Sequence, residues 1–375
     1  MPKEPAYCLP KFPRRHQYTW PRVETQTHPL QADGHDLKCS VPGKKVSFKT
    51  EDGRERRIGI CKTIAEASRI YSKEYAADGE WKWLNENRRA TYLSALQASD
   101  TDALFQAFSS LFRHDASYGI VTGTYADFCD TTKQKSLING ILCDVDTWLD
   151  YTNSTPEPYL SMPDVGMPYG VQFGDNLVSP DLCRHDYHAE KILGLAEDVN
   201  TSGATVLEIG GGYGGVAYQL FKRCPSKKHR WIIVDLFETL CVQYYWLSCC
   251  GIAVDFAIDG CIKHDSALVT LVPSDLADKI NVHVDIVYNC NSFSEMARSS
   301  VENYFDLMNK QWKPSYIFHQ NSDVLLFPDS PRHVEVLASE FPIGKSYQEI
   351  YRTLSPWAGG NGRYREYLYK KLASA

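Results

Sequence analysis

The feature of this 375-residue sequence that most constrains its fold is a glycine-rich turn between a strand pattern and a helix pattern. The stretch VLEIGGGYGGVAYQLF, residues 206–221, begins with an apolar run suited to a buried strand and continues with apolar residues at helical spacing. Five of the six residues at 210–215 are glycine, so the backbone can turn tightly and approach a ligand. The helix that follows offers unpaired N–H groups at its start. The stretch therefore predicts a ligand-binding turn.

The segments after this turn alternate between strand and helix patterns. Buried strands are predicted to end near Asp235, Asn289 and Phe318, and apolar residues at helical spacing separate them. A further strand is predicted at either 253–258 or 267–272, and the sequence leaves both open. Because parallel strands need crossover connections, this alternation predicts a parallel sheet with helices on its faces.

The chain closes with two segments in which apolar and polar residues alternate, 345–356 and 363–372, after a short helix predicted at 334–341. Alternation with a period of two predicts a β-hairpin. The fold class is therefore predicted as α/β, a Rossmann-like doubly wound sheet with a C-terminal antiparallel hairpin. In such a sheet the ligand binds at the carboxyl ends of the strands.

The sequence before the turn divides into two parts. Residues 1–45 are rich in proline and lack periodicity, which predicts an irregular N-terminal arm. Residues 46–172 carry several amphipathic helical patterns, one of them beginning after a predicted N-cap at Asp100. We therefore expect a mainly helical N-terminal module, followed by the sheet domain at 173–375, whose first helix is predicted to start at Pro180.

Composition limits the classes of partner. A net charge of -6 with 23% charged residues gives no electrostatic reason to expect a nucleic acid or a membrane surface as partner. The 12 cysteines form no C-x-x-C pair, and no apolar run is long enough for a signal peptide or a membrane span. We therefore expect a cytoplasmic protein with reduced thiols and a small-molecule or glycan partner.

The turn alone does not select one cofactor. Gly210, Gly212 and Gly215 satisfy G-x-G-x-x-G, and Asp235 follows at about the distance typical of dinucleotide-binding turns. This spacing fits a NAD(P)-dependent oxidoreductase. However, Glu208 would place a carboxylate near the phosphates of a dinucleotide, where like charges repel. S-adenosylmethionine has a cationic amine and no phosphate, and its ribose hydroxyls suit Asp235 as acceptor, so these residues favour it.

Two segments resemble a known superfamily. EIGGGYG at 208–214 resembles motif I of class I S-adenosylmethionine-dependent methyltransferases, and WIIVDLFETL at 231–240 resembles their second motif. Further segments are similar to the sugar O-methyltransferase family, namely LVPSDLADKI, VDIVYNCNSFSEM, SPW and REYLY. The resemblance covers roughly the chain from residue 173 onward and implies the class I methyltransferase fold with S-adenosylmethionine as cofactor.

The resemblance also implies roles for individual residues. Four residues would line the methionine end of the cofactor: Glu208, Gly210, Gly212 and Gly214. Asp235 would hold the ribose. The adenine would meet residues after the third strand, for which the resemblance favours Ser274 and Asp275 over the alternative Asp259 and Gly260. Asn289 and Asn291 would face the methyl group.

A hydroxyl acceptor benefits from a base that removes its proton. Glu295 and His319 each follow a predicted strand, so both are candidates for this catalytic role. Glu295 could instead cap a helix or orient another residue, and His319 could be a hydrogen-bonded wall residue. A divalent metal held by Glu295, His319 and Asp323 is a further alternative, but their spacing is not diagnostic and we expect no metal site.

Two other segments have both a functional and a structural interpretation. Residues 185–188 could belong to a lid helix over the cofactor, although a solvated helix start is the simpler interpretation. Trp357 stands in the glycine-rich stretch WAGGNGRYRE, where an aromatic ring could stack on a sugar or form a lid.

The sequence therefore predicts a methyltransferase that acts on a hydroxyl of a sugar or glycosylated small molecule. Two alternatives stay open, a NAD(P)-dependent oxidoreductase on the same sheet and a non-catalytic methyltransferase-like scaffold whose helical module binds a partner. The oligomeric state is not predicted.

Overall fold

The computed structural model describes residues 51–71, 77–152, 154–173, 175–200, 202–226, 229–262, 267–324, 336–357 and 363–373. The predicted arm at 1–45 lies outside these residues. The helices are α1 (Glu51–Tyr71), α2 (Gly79–Asn87), α3 (Ala90–Gln97), α4 (Thr101–Ser109), α5 (Tyr125–Cys129), α6 (Thr131–Tyr151), the short turn α7 (Pro156–Tyr159), α8 (Leu182–Val199), α9 (Gly215–Arg223), α10 (Phe237–Cys249) and α11 (Arg298–Leu307).

A small hairpin precedes the main sheet. The strands are β1 (Val171–Phe173), β2 (Asn176–Val178), β3 (Thr205–Ile209), β4 (Arg230–Asp235), β5 (Val254–Phe256), β6 (Val269–Pro273), β7 (Ile286–Cys290), β8 (Tyr316–Ser322), β9 (Tyr347–Leu354) and β10 (Tyr364–Lys371). The first two pair with each other, and the other eight form one sheet in the order β5-β6-β4-β3-β7-β8-β10-β9.

The sheet confirms the predicted fold class. The strands from β5 to β8 pair in parallel, and β10 inserts antiparallel between β8 and β9 as the second arm of the terminal hairpin. Strand order reverses direction at β3, since β4 lies on one side of it and β7 on the other. A crevice opens at such a reversal, at the carboxyl ends of the strands.

Alternate residues of the central strands enter two different cores. On β3, Val206 packs into the core that contains α8, α9 and α10, whereas Leu207 and Ile209 pack into the core under α11. This division follows from the two-residue period of a strand. Because both faces are covered, the central strands are apolar along their whole length, which explains the apolar runs in the sequence.

The helical region shares the first of these cores with the sheet. Helix α6 turns a buried stripe inward, formed by Ile138, Ile141, Val145 and Trp148. The ring of Phe108 on α4 stacks on Tyr245 of α10 with ring centres 4.8 Å apart. The predicted N-cap of α4 is confirmed, because the carboxylate of Asp100 accepts hydrogen bonds from two backbone N–H groups of the first turn. The helices therefore pack directly against the sheet.

Several local predictions differ from the structure. Both candidates for the third strand form strands, the edge strand β5 and its neighbour β6. Helix α8 begins at Leu182 rather than at Pro180, after Asp181 in the left-handed conformation (φ 68°). Within the described part of 334–341, only a short 3₁₀ turn forms, Ala338–Glu340. The predicted domain boundary before residue 173 falls within the β1–β2 hairpin and stays a prediction.

Candidate functional site

A cavity of about 750 Å³ lies at the carboxyl ends of β3, β4, β6 and β7. One wall consists of the sheet residues and the turns that follow them, and the other consists of α2 and a segment at 118–124 from the helical region. A volume of this size is typical of small-molecule and cofactor sites. The position is the one that the reversal of strand order predicts.

The glycine turn forms the floor of the cavity. Gly210 and Gly212 line it, with φ of 74° and 56°, conformations that a side chain makes costly. A Cβ at Gly210 would also collide with the side chain of Ser292. Gly214, also predicted to line the methionine end of the cofactor, is not among the described lining residues. Its φ is 90° and a Cβ there would lie 2.9 Å from Leu247 of α10, so this glycine allows α9 and α10 to pack closely.

Glu208 lines the cavity at the end of β3 and is 2% exposed. Its Oε2 accepts a hydrogen bond of 2.7 Å from the indole Nε1 of Trp231. Burial raises the pKa of this carboxyl to about 8, against the opposing effect of the hydrogen bond from Trp231. Glu208 is therefore largely uncharged near neutral pH until a cation enters the cavity.

Asp235 lines the cavity at the end of β4 and holds the glycine turn in place. Its Oδ2 accepts hydrogen bonds from the backbone N of Gly211 (2.9 Å) and from Nε2 of Gln243 (2.8 Å). Its Oδ1 accepts a hydrogen bond of 2.8 Å from the backbone N of Leu236. Burial raises its pKa to about 7, although these hydrogen bonds oppose the shift. The carboxylate is held rigidly, with lone pairs left for a ligand.

Ser274 and Asp275 also line the cavity, directly after β6. Asp275 Oδ1 accepts a hydrogen bond of 2.6 Å from the hydroxyl of Tyr71 in α1. The ring of Tyr71 stacks on Phe237 with ring centres 4.3 Å apart, and both rings line the cavity. An aromatic surface beside hydrogen-bonding groups suits a planar heterocycle.

Of the two asparagines predicted at the end of β7, one lines the cavity. Asn291 lines the cavity, and its Oδ1 accepts a hydrogen bond of 3.0 Å from Nε2 of Gln320. Asn289 is 1% exposed and is not among the described lining residues, and its predicted position facing the methyl group stays a prediction. Its Nδ2 donates to the carbonyl of Ile209, which ties β7 to β3. The residue between the two asparagines, Cys290, lines the cavity instead.

Glu295 lines the cavity opposite α2. Its Oε2 accepts a hydrogen bond of 3.2 Å from the indole Nε1 of Trp81. Gly79 at the start of α2 has φ of 53°, and a Cβ there would collide with the carbonyl oxygen of Glu295. Helix α2 therefore closes tightly on the segment that carries Glu295.

His319, the other predicted base, lies in the core rather than along the cavity. The residue is 1% exposed and is not among the described lining residues. Its ring stacks on Tyr367 with ring centres 4.8 Å apart and also contacts Phe341. Burial lowers its pKa to about 3. Its surroundings are those of a neutral core residue.

Glu295, His319 and Asp323 are not brought together as ligands. Among the residues that the structure describes, no group of three or more His, Cys, Asp or Glu side chains is arranged to hold a metal ion. The oxygen Oδ2 of Asp323 instead pairs with Nε of Arg365 at 3.0 Å.

Helix α8 contributes to the cavity with residues that the sequence interpretation missed. Asp181 and Arg184 line it, as does His185 from the predicted 185–188 segment. Asp181 Oδ2 accepts a hydrogen bond of 2.7 Å from the backbone N of Thr122, and its Oδ1 pairs with Nη2 of Arg184 at 2.7 Å. The other residues of that segment, at 186–188, are buried.

The glycine-rich stretch near the C-terminus is described only in part, since residues 358–362 lie outside the described ranges. Trp357 packs edge-on against Tyr187 with ring centres 5.9 Å apart, so the described contact is with the core. Tyr364, just after the gap, lines the cavity. It lies within electrostatic reach of Glu295, Arg184 and Cys290.

The cavity is rich in acidic groups. The described lining residues include two arginines, Arg88 and Arg184, and no lysine. The carboxylic acids among them are Asp78, Glu80, Asp127, Asp181, Glu208, Asp235, Glu238, Asp275 and Glu295. This balance favours a cationic ligand and disfavours a ligand with several phosphates.

No helix among the described residues is long and apolar enough to cross a membrane.

Neither a scan against models of protein families nor a search of curated proteins found a match to this chain. The chain is similar to the solved structure of the small RNA methyltransferase HEN1, with 12% sequence identity and a TM-score of 0.34 over 50% of this chain and 25% of that one. It is similar to TrmN from Thermus thermophilus with 12% identity and a TM-score of 0.33 over 50% of this chain and 49% of that one. It is also similar to the methyltransferase domain of bacterial CtHen1-C, with 14% identity and a TM-score of 0.37 over 50% of this chain and 98% of that one. The matches span a quarter of HEN1 and about half of TrmN.

The fold assignment rests on this chain's own sheet. Its strand order and its terminal hairpin are those of the class I methyltransferase fold that was predicted.

The exclusion of nucleic acid as a partner is wrong. HEN1, to whose solved structure this chain is similar, is a small RNA methyltransferase. Nucleic acid is therefore not excluded by the fold, and the acceptor is undetermined.

Proposed function

We propose that this chain is an S-adenosylmethionine-dependent O-methyltransferase that acts on a hydroxyl of a sugar or glycosylated small molecule. The observation that supports the cofactor is the set of carboxyl groups in the cavity, where Glu208 and Asp235 flank a glycine turn and no lysine is present among the described lining residues. S-adenosylmethionine has a sulfonium, an ammonium and no phosphate, so it suits these groups.

The residues that would hold the cofactor follow the order of the strands. Glu208 would accept hydrogen bonds from the ammonium, and Gly210 and Gly212 would let the backbone approach the methionine end. Asp235 would accept hydrogen bonds from the ribose hydroxyls. Asp275, beside the stacked rings that line the cavity, would bind the adenine with Ser274.

When bound, the cofactor supplies an activated methyl group, so this chain mainly needs to align the acceptor and exclude water. Residues of the segments at 79–88 and 118–124 line the cavity together with the ends of the strands, so they are placed to limit the access of water. Glu295 is the proposed acceptor-side residue, because it lines the cavity next to Trp81. It would orient the acceptor by accepting a hydrogen bond from one of its hydroxyls other than the one that is methylated. The aromatic ring beside it offers a surface for a sugar face.

Calorimetry with S-adenosylhomocysteine and NADH tests the cofactor. We expect binding of S-adenosylhomocysteine and no binding of NADH. The reverse result would establish the oxidoreductase alternative, and binding of neither compound would contradict the proposed cofactor.

The acceptor requires a separate experiment. The protein is incubated with cofactor labelled at its methyl group and, in separate reactions, with free sugars, glycosylated metabolites and short RNAs. We expect label in a sugar-containing product, with a mass increase of one methyl group located on an oxygen. Label in the RNA reaction alone would reject the sugar proposal and keep the methyltransferase.

A further inference from the structure

A buried polar network lies behind the cavity, between α8 and the sheet. It joins His188 on α8, Tyr288 on β7 and Glu366 on β10, whose exposed fractions are 0%, 0% and 1%. The Tyr288 hydroxyl lies 2.7 Å from Nδ1 of His188, and Oε1 of Glu366 lies 3.6 Å from Nε2 of the same ring. The second oxygen of Glu366 accepts a hydrogen bond of 3.0 Å from Tyr187. The three groups form a line from tyrosine to imidazole to carboxylate.

The inner end of this line is incomplete. Nε2 of His188 and Oε1 of Glu366 face each other at 3.6 Å, just beyond hydrogen-bond length, and neither makes a shorter hydrogen bond among the described residues. A buried polar pair gains from a closed hydrogen bond, so a small movement of either side chain would complete the line. A proton arriving on His188 would turn this contact into a charge-assisted pair. Catalytic hydrogen bonds are often long in proteins without ligand and tighten in the complex.

The outer end of the line reaches the cavity. Tyr288 is one of the lining residues. Its phenol interacts electrostatically with Glu208, Cys290 and Arg184, and these three also line the cavity. The hydroxyl therefore lies within electrostatic reach of three residues that line the cavity.

We propose that Tyr288, His188 and Glu366 form a proton relay that takes the proton of the acceptor hydroxyl during methyl transfer. This inference rests on the proposed function. Tyr288 is the catalytic residue, because it touches the cavity, while His188 and Glu366 act through it. The reacting hydroxyl has a single proton and donates it to Tyr288, so Glu295 holds a different hydroxyl of the acceptor and does not receive the transferred proton.

The steps balance as follows. The acceptor oxygen forms a bond to the methyl carbon as the carbon–sulfur bond of the cofactor breaks, and the electron pair of that bond stays on the sulfur. The acceptor proton passes to the oxygen of Tyr288, whose own proton passes to Nδ1 of His188. His188 starts with its proton on Nε2 and ends as an imidazolium facing the carboxylate of Glu366. The proton leaves by the reverse path after the product departs.

The tyrosine can pass a proton but does not retain a negative charge, since burial raises the pKa of Tyr288 well above its ordinary value. Burial disfavours the imidazolium of His188, but Cys290 and Glu366 favour it, and its pKa is raised. The groups around the imidazole are Tyr288 and Cys290 of β7, Glu366 of β10, Glu208 of β3, and His185 and Tyr187 of α8. A base with a pKa near the working pH is the most effective one.

Tyr288→Phe tests the cavity end of the relay, with Tyr245→Phe as a matched control. Tyr245 is buried in α10 and is not among the described lining residues. We expect Tyr288→Phe to lower kcat by about 100-fold or more, the usual contribution of general base catalysis, and to change S-adenosylhomocysteine affinity less than threefold. The control should retain kcat within about twofold, because it removes no group of the relay.

A second measurement does not depend on turnover. The 11 histidines are isotopically labelled at Cε1, and their titration is followed by NMR. The signal of His188 is assigned by its absence in His188→Gln. We expect Glu366→Gln to lower the pKa of His188 and to move the acid limb of the kcat profile to lower pH by the same amount. Circular dichroism and S-adenosylhomocysteine binding report whether each variant is folded.

The outcomes separate the relay from the proposed function. Wild-type kcat in Tyr288→Phe, or an unchanged His188 titration in Glu366→Gln, overturns the relay while the methyltransferase stands. A wild-type protein that binds no S-adenosylhomocysteine and methylates no acceptor overturns both.

Discussion

Two buried carboxyl groups, Glu208 and Asp235, determine how the cavity responds to pH. Burial raises their pKa values to about 8 and about 7, so both bind protons in the ligand-free protein near neutral pH. A cationic ligand favours the charged carboxylate and lowers these values. Binding therefore releases protons, and affinity rises with pH up to the pKa of the free protein.

We expect the affinity for S-adenosylhomocysteine to increase between pH 6 and pH 8 by up to about tenfold per pH unit and then to level off. Calorimetry in two buffers with different ionisation enthalpies counts the protons released. Glu208→Gln should lose most of the dependence because it carries no titrating group at this position. A flat affinity profile in the wild-type protein would show that Glu208 does not meet the ligand's cation.

Asp235→Ala should weaken S-adenosylhomocysteine binding by about 1.5 to 3 kcal/mol, the usual scale of a hydrogen bond to a charged group. The substitution also removes the acceptor that anchors the backbone of Gly211. Asp306→Ala is the control, because Asp306 is an exposed residue of α11 that pairs only with Lys310 among the described contacts. Calorimetry measures both variants, and equal affinity in the two would reject the ribose role.

Glu295→Gln should leave S-adenosylhomocysteine affinity nearly unchanged and reduce kcat/KM for the acceptor by about tenfold, since a neutral amide accepts a weaker hydrogen bond than a carboxylate. Steady-state kinetics with the acceptor found in the labelling experiment provides the measurement. Wild-type kinetics in this variant would remove Glu295 from the acceptor site.

Sequence interpretation of single residues was limited by the alternation of side chains between the two faces of a strand. Glu208 and Asp235 could be proposed from the sequence because the turn fixes their spacing to the glycines. Asn289 and His319 are neighbours across β7 and β8, and neither is among the described residues that line the cavity. Cys290, one residue along, does line it. An apolar run shows where a strand ends but not which alternate residue faces the ligand.

At the scale of elements, helix α2 is fixed to α11 by a contact between distant segments. The carboxylate of Asp78 accepts a hydrogen bond of 3.4 Å from the backbone N of Ala297 and another from the hydroxyl of Ser300. Helix α11 has no side-chain cap of its own at Ala297. Asp78 therefore caps a helix more than two hundred residues further along the chain. Gly79 beside it allows the close approach to Glu295.

Gly79→Ala should lower the free energy of unfolding by about 1 to 3 kcal/mol, because the new Cβ combines an unfavourable positive φ with a collision against backbone. The substitution should also displace α2, which forms one wall of the cavity, and so weaken binding of the acceptor. Gly59→Ala is the matched control, since nothing lies within 4 Å of its Cβ position in α1, and it should be neutral or stabilising by up to about 1 kcal/mol. Urea denaturation measures both, and equal midpoints would contradict the tight docking of α2.

Periodicity identified most elements but not their docking. The stripes of α6 and α11 and the apolar runs of β3, β4, β7 and β8 follow directly from side-chain spacing. The strands β1 and β2 were not predicted, because each has three residues, which are too few to show a period. The contact between α2 and α11 could not be predicted, since it depends on which distant segments meet.

At the scale of the whole molecule, the helical region and the sheet share one core. Buried residues of α1, α4 and α6 belong to the same apolar cluster as those of α9 and α10. The helical region also forms one wall of the cavity. The sequence predicted a helical module but not its place at the site, because segments far apart in the chain, such as α2 and the turns after the strands, meet at the cavity.

A shared core predicts one cooperative transition. In differential scanning calorimetry we expect a single unfolding peak whose calorimetric and van't Hoff enthalpies agree. S-adenosylhomocysteine should raise the Tm of this peak by mass action, since only the folded cavity binds it. Two resolved peaks, with only one shifted by the ligand, would show that the helical region unfolds independently.

The cap that Asp78 provides has a consequence for how such chains diverge. A helix start without a partner for its first N–H groups is destabilised, so a related chain that lost the acid at 78 would need a replacement. The bond that Asp78 makes goes to the backbone N of Ala297, and the side chain that can reach this group from within the helix is that of residue 300. A glutamate or glutamine at 300, where this chain has serine, would therefore replace the acid at 78, and the two positions should vary together among related chains.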